Sequence, residues 1–295
     1  MKKLLLLFIT LSLLTLAACG NGEEKNDAAK DETSEEKGTI VFGQTPWTST
    51  APPTQIAKQI LEEQGYTVEV KHVSQPIIWD GMSNKEIDFF MDAWLPYTEA
   101  PRWEEYKDEL VKVATSYKNA QLGLAVPSYV EENSIEDLKA NAEKYNGQIL
   151  TIAEGAGIVN IAKELVKGEN LDESGFELKT SSEGAMISAA QSKIDDKEPV
   201  VFTPWRPHSV FARNDLKFLE GQGDYFKADN VYVLSYKGIK EAHPEAYKIL
   251  SNWSISIPEI ESMISKNEQN GTSFEKLAAE WIEKNRDKVD QMIGK

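Results

Sequence analysis

Apolar positions along this chain change their spacing repeatedly, and each change marks an element. Residues 38–44, GTIVFGQ, form a compact apolar run that predicts a buried strand. After a short loop, residues 53–66, PTQIAKQILEEQGY, place apolar side chains at helical spacing and close on a glycine. Residues 67–73, TVEVKHV, alternate as a strand does, and residues 85–94, KEIDFFMDAW, end in a third apolar run. This β-α-β rhythm predicts an α/β lobe with a largely parallel sheet. An extended run broken by Pro127, AQLGLAVPSYV at 120–130, comes before the rhythm restarts.

A helix is expected over 134–145, where Ser134 and Asp137 form a variant capping box. Then come the strand-like GQILTIAEGAG at 147–157, a helix over 158–166, a strand over 176–182 and a helix over 183–194. The strand PVVFTPW at 199–205 completes a second α/β lobe, and DNVYVLSYKG at 229–238 resembles another crossing strand. From residue 242 onward the spacing is mostly helical. Phe274, Leu277, Ala278, Trp281 and Ile282 share one face, which makes Trp281 a core residue. The expected division is a first lobe over 38–123, a second over 124–234, and a helical segment over 235–295 that returns to the first lobe. A folded part of this length can bury two cores.

The beginning of the chain reads as an address. A basic start and an apolar stretch predict a secretory signal over residues 1–18. LAAC at 16–19, followed by glycine, looks like a bacterial lipobox in which Cys19 receives lipid (palmitate) and becomes the mature N-terminus. Cys19 is the single cysteine, so the fold holds together without an internal disulfide. Residues 21–37 contain no large apolar side chain and predict a flexible tether, giving a tether over 19–37. No later segment is apolar enough to span a membrane. The expected location is the outer face of the bacterial cytoplasmic membrane, by a lipid anchor. A net charge of -16 argues against nucleic acid and favours solubility.

Three tryptophans carry the candidate chemistry. Trp47 follows the strand IVFGQ, Trp94 ends DFFMDAW, and Trp205 ends PVVFTPW. In open α/β sheets the carboxyl ends of the strands form the ligand crevice, so the three can converge on one cleft. An aromatic box binds a quaternary ammonium through the negative ring faces. In EGAGI, Gly155, Ala156 and Gly157 leave the backbone open just before a helix, whose free N–H groups can receive a carboxylate. Together these describe a zwitterion site. Asp88 and Asp92 lie on a strand, and one of them is expected to orient the loop that carries Trp94. Trp79 is expected in packing or at the rim, and Trp103 half exposed. His72 and His243 have no partner at a metal spacing, so neither a metal nor a cofactor is expected. A secreted hydrolase using His208 is a remote alternative, because no G-x-S-x-G elbow is present.

DAWLP, TPWRPH, EGAGI and the lipobox occur in a compatible order over essentially the whole mature chain. They resemble the substrate-binding lipoproteins of glycine betaine/proline betaine ABC importers. The resemblance implies a two-lobed α/β clamp of the periplasmic-binding-protein-like type II class, with the ligand cleft between the lobes and no enzymatic activity. It implies that Trp47, Trp94 and Trp205 form a prism around a trimethylammonium, and that backbone amides of Gly157 and Ile158 hold the carboxylate. His208, in the W-x-P-H pattern, would shape the pocket or the lobe contact. Implied partners are a small quaternary ammonium compound and the permease and ATPase subunits of the importer; the receptor itself is expected to be a monomer. Some relatives carry a histidine after WLPxT, where this chain has Glu99. Facing the ligand, Glu99 would favour a cation such as choline; the expectation is a solvated side chain or a pair with Arg102 or Arg206. A choline- or carnitine-binding protein of the same class is the alternative.

Overall fold

The structure, a computed structural model, describes residues 37–295. The expected signal segment, Cys19 and the tether up to residue 36 lie outside the described residues. The first part of the chain lays down β1 (Thr39–Gln44), α1 (Ala51–Glu63), β2 (Thr67–His72), α2 (Gln75–Ser83), β3 (Phe89–Leu95), α3 (Ala100–Tyr106) and β4 (Leu110–Leu122). Prolines in the first turn of α1, α2 and α3 suit positions that need no N–H donor. β3 is buried along its whole length, and its side chains are apolar on both faces except for Asp92.

The second part comprises β5 (Ala125–Pro127), α4 (Ile135–Ala140), β6 (Gln148–Thr151), α5 (Gly157–Gly168), β7 (Glu177–Thr180) and α6 (Glu183–Asp195). The capping box of α4 is complete, with Ser134 and Asp137 each accepting the other's backbone N–H. β8 (Trp205–Arg206), α7 (Val210–Arg213) and β9 (Leu216–Phe218) follow. Then come β10 (Asp229–Tyr236) and the helices α8 (Ile239–Ala242), α9 (Pro244–Ser251), α10 (Ile257–Asn270), α11 (Phe274–Lys284) and α12 (Arg286–Ile293). α9 and α10 pack on β4, and α11 lies along α1.

Two sheets organise these elements. The larger has the order β2-β1-β3-β10-β4-β8. β2, β1 and β3 are parallel, while β10 is antiparallel to both β3 and β4. The sheet is therefore mixed, where the sequence suggested a largely parallel one. The reason is connectivity: β4 leaves toward the second sheet at its carboxyl end, and β10 re-enters from that side, so it must run the other way. The second sheet joins β9 to β5 and β6 to β7 through Phe202, which bridges Ala125 and Leu150. β10, which the expected boundary at residue 234 would cut, lies in the middle of the first sheet.

The strands that connect the two sheets lie close together. Ala125 and Phe202 exchange both backbone hydrogen bonds, at 2.9 and 3.1 Å. Gln222 clasps the crossing strand at Leu124, accepting its N–H at 2.7 Å and donating to its carbonyl at 3.0 Å. A side chain at Gly123 would collide with this clasp, since its first carbon would stand 2.8 Å from Gln222 Oε1.

Candidate functional site

The loop after β1 is held from below by β3. Thr45 and Thr50 hydroxyls bond each other at 2.6 Å, and Thr50 Oγ1 donates to Asp92 Oδ2 at 3.0 Å. Asp92 is fully buried, and its Oδ1 also accepts from the Trp94 indole N–H at 3.2 Å and the Tyr117 hydroxyl at 2.8 Å. One carboxylate thus positions both Trp94 and the loop that carries Trp47. The expectation that Asp88 or Asp92 orients Trp94 resolves on Asp92; Asp88 instead accepts the Val41 N–H at 2.7 Å. Burial pushes the Asp92 carboxyl above its ordinary range, against the pull of the hydrogen bonds from Tyr117, Thr50 and Trp94. Burial and the Asp92 charge together push the Tyr117 hydroxyl well up.

Trp205 stands on β8, paired with Leu122 of β4 at the edge of the first sheet. Its indole N–H donates to Ser49 Oγ, in the Trp47 loop, at 3.3 Å. His208 meets its ring edge-on, with centroids 5.2 Å apart. His208 Nδ1 accepts the Val210 N–H, which leaves Nε2 to donate to Glu183 Oε1 at 2.9 Å. Glu183 in turn accepts from Thr48, from the N–H at 2.9 Å and the hydroxyl at 2.5 Å. Hydrogen bonds therefore tie both Trp94 and Trp205 to the loop that carries Trp47, through Thr50 with Asp92 and through Ser49, and Glu183 joins the same loop to α6.

Trp47, Trp94 and Trp205 line one cavity, together with Ala156, Gly157 and Ile158 at the start of α5. The expected tryptophans and the expected Gly157–Ile158 pair are thus brought together. Ala156 supplies no side-chain cap, so the first N–H groups of α5 are not closed off by a capping residue. Gly157 also has a steric role. A side chain there would bring its first carbon to 2.5 Å from the Thr98 carbonyl, so only glycine admits this approach of the two lobes. His208 is not on the cavity wall; it stands behind Trp205. Trp79 is fully buried in the core and Trp103 is half-buried under Lys112, and neither reaches the cavity. Trp253 and Trp281 are also core residues, their rings 6.4 Å apart.

Glu99 departs from expectation. It is buried, not solvated, and it lines the cavity. Its carboxylate accepts the Trp94 N–H at 3.2 Å, while its own N–H donates to the Trp94 carbonyl at 3.0 Å. Neither arginine pairs with it: Arg102 donates to the Gly155 carbonyl at 2.9 Å, and Arg206 lies 3.7 Å from Glu261. Burial and the neighbouring Asp92 charge push the Glu99 carboxyl well above its ordinary range. Asp229, at the start of β10, fixes the same turn by accepting the N–H groups of Tyr97 and Thr98.

Sequence reasoning missed Gln75 and Thr98, both on the cavity wall. Gln75 Oε1 and Thr98 Oγ1 are buried without a protein partner, as expected of groups that meet a ligand. Thr98 adjoins the DAWLP motif and could have been suspected; Gln75, at the start of α2, carried no signal. Among the described residues no cluster of His, Cys, Asp and Glu could hold a metal ion, and no helix is long and apolar enough to cross a membrane.

Residues 38–284 match the family model OpuAC, the substrate binding domain of ABC-type glycine betaine transport system. The glycine betaine/carnitine transport binding protein GbuC of Listeria monocytogenes serotype 1/2a (strain 10403S) is 38% identical over 149 residues, 50% of this chain and 49% of that protein. The chain thus aligns with about half the length of this relative. Lactococcal OpuAC, in its closed-liganded conformation with glycine betaine, is 30% identical with a TM-score of 0.81, covering 87% of this chain and 99% of that one. An ABC-transporter choline binding protein in complex with choline is 27% identical with a TM-score of 0.81, covering 86% and 91%. The fold is the two-lobed α/β clamp of these periplasmic-binding-type proteins.

Proposed function

Because the chain belongs to the family of substrate-binding domains of ABC-type glycine betaine transport systems, we propose that it captures glycine betaine or a close quaternary ammonium relative outside the cell. The family consists of transport receptors, not enzymes, and its members work outside the cytoplasm. The loaded protein delivers its ligand to the permease and ATPase subunits of an importer. It acts as a monomer tethered to the outer face of the cytoplasmic membrane by lipid on Cys19, a reading supported by the LAAC sequence.

The observation that carries the ligand class is the meeting of Trp47, Trp94 and Trp205 in one cavity with the uncapped start of α5. The rings receive the ammonium, each desolvated cation–π contact contributing about 0.5 to 2 kcal/mol. The Gly157 and Ile158 amides receive the carboxylate. Asp92, behind Trp94, adds a formal negative charge that favours the cation. His208 sets the Trp205 ring and does not touch the ligand. The lobe division we infer is 38–123 with 229–295 against 124–228; it moves from residue 234 because β10 lies between β3 and β4.

Wall residues come from both lobes, so the ligand favours the closed state, the only one that makes every contact. Glycine betaine is expected to shift or quench the tryptophan fluorescence of the purified protein, and Trp94→Ala or Trp205→Ala to remove most of that response. Undiminished binding by both variants would refute the site. A second reading, a choline receptor, is favoured by the two buried carboxyls on the wall. Parallel titration of glycine betaine, proline betaine, carnitine and choline separates the two.

A further inference from the structure

The cavity contains an acid that the betaine reading leaves without a task. Glu99 lines the wall beside Asp92, and no basic side chain pairs with either. The groups that face Glu99 come from several elements. β3 contributes the Asp92 carboxylate and the Trp94 N–H, α3 contributes Arg102, β10 contributes Asp229, and β4 contributes the Tyr117 hydroxyl. Arg102 is turned to the Gly155 carbonyl, so acids outnumber the one cation.

Two neighbouring carboxyls buried as Asp92 and Glu99 are resist ionising together. Hydrogen bonding decides between them. Asp92 accepts from three donors, Thr50, Trp94 and Tyr117, which stabilise its anion. Glu99 accepts only the Trp94 N–H among the hydrogen bonds shown, at 3.2 Å. The proton therefore belongs on Glu99. The Thr98 carbonyl, one residue away, is pressed against Gly157 at the start of α5, so the Glu99 turn adjoins the amides assigned to the carboxylate. A charged Glu99 there would repel a ligand carboxylate; the neutral acid can donate to it.

Resting on the betaine reading, we propose that Glu99 is a specificity residue that binds in its neutral acid form and donates its proton in a hydrogen bond to the ligand carboxylate. Selection between a zwitterion and a simple cation is then linked to protons. A betaine holds the proton on Glu99, whereas a cation without a carboxylate favours its loss. The upward push on the Glu99 carboxyl from burial and Asp92 agrees with this assignment.

The test uses the unaltered protein. Calorimetric titration with glycine betaine and with choline, in buffers of different ionisation enthalpy from about pH 6 to about pH 9, counts the protons exchanged. Betaine binding is expected to take up protons as pH rises through the Glu99 range, and choline binding to release them. The ratio of the two affinities should fall by up to about tenfold per pH unit in favour of choline. Glu99→Gln, which cannot ionise, should abolish both the exchange and the slope. Proton release on betaine binding, or an affinity ratio that does not change with pH, would overturn the proposal while leaving the betaine site intact. Failure of the unaltered protein to bind any quaternary ammonium compound would refute the site and this proposal together.

Discussion

Replacing Glu183 by glutamine probes whether closure, not only contact, sets affinity. Glu183 does not line the cavity, yet it accepts the Thr48 N–H and hydroxyl from the other lobe and the His208 N–H from its own. It is buried, so these bonds are made out of water. Glutamine keeps the shape but has one oxygen. Whichever way the amide turns, one N–H then faces a donor, and at least one charge-assisted bond is lost. A hydrogen bond to a charged group contributes about 1.5 to 3 kcal/mol. The Thr48 bonds span the two proposed lobes, so their loss is expected to weaken the closed form and not an open one. Taking the lower figure, the dissociation constant for betaine should rise roughly tenfold. Calorimetry measures that rise, and thermal unfolding without ligand should shift by no more than about 2 °C. A Thr48→Val replacement combined with Glu183→Gln should cost less than the sum of the two, because both act on one contact. Unchanged affinity in Glu183→Gln, or fully additive losses in the pair, would refute the idea that this contact holds the lobes.

Asp92→Ala should destabilise the fold itself by about 3 to 5 kcal/mol, since it strands the buried donors of Thr50, Tyr117 and Trp94 together. Denaturant unfolding without ligand measures this, and a midpoint equal to that of the unaltered protein would contradict the assignment. Gly157→Ala should hold the lobes apart, because its methyl would meet the Thr98 carbonyl at 2.5 Å. Solution scattering with saturating betaine should then show the larger, open dimensions. Cys19→Ala should abolish incorporation of labelled palmitate into the protein, read by metabolic labelling; undiminished incorporation in the variant would argue against lipid on Cys19.

The apolar periods determined a good deal without any tertiary information. A 3.6-residue spacing specifies which face of a helix is buried, as in α11, where Leu277, Ala278, Trp281 and Ile282 are all buried. Apolar runs specify central strands, as with β3, where Asp92 is the one charged interruption. Tryptophans expected at strand ends pointed to a cleft, although Trp94 lies within β3 and Trp205 begins the two-residue β8. The local pattern did not reveal α2, whose short apolar face around Ile78, Trp79 and Met82 is interrupted by Asp80 and Gly81. Nor did it reveal most of β4, where Lys112, Ser116 and Lys118 mask a strand that packs against the C-terminal helices.

What only the tertiary structure decided are the relations between distant residues. The direction of β10 follows from where the chain re-enters the first lobe, which no local spacing records. Thr48 and Glu183 are separated by 135 positions and meet only because the fold brings the loop after β1 against the start of α6. Glu99 sits in a stretch polar enough to suggest water, yet folding seals it beside Asp92. Sequence determines side-chain chemistry and local periodicity, because these depend on near neighbours. Burial, pairing and protonation depend on what the rest of the chain brings alongside, and so the role of Glu99 had to wait for the fold.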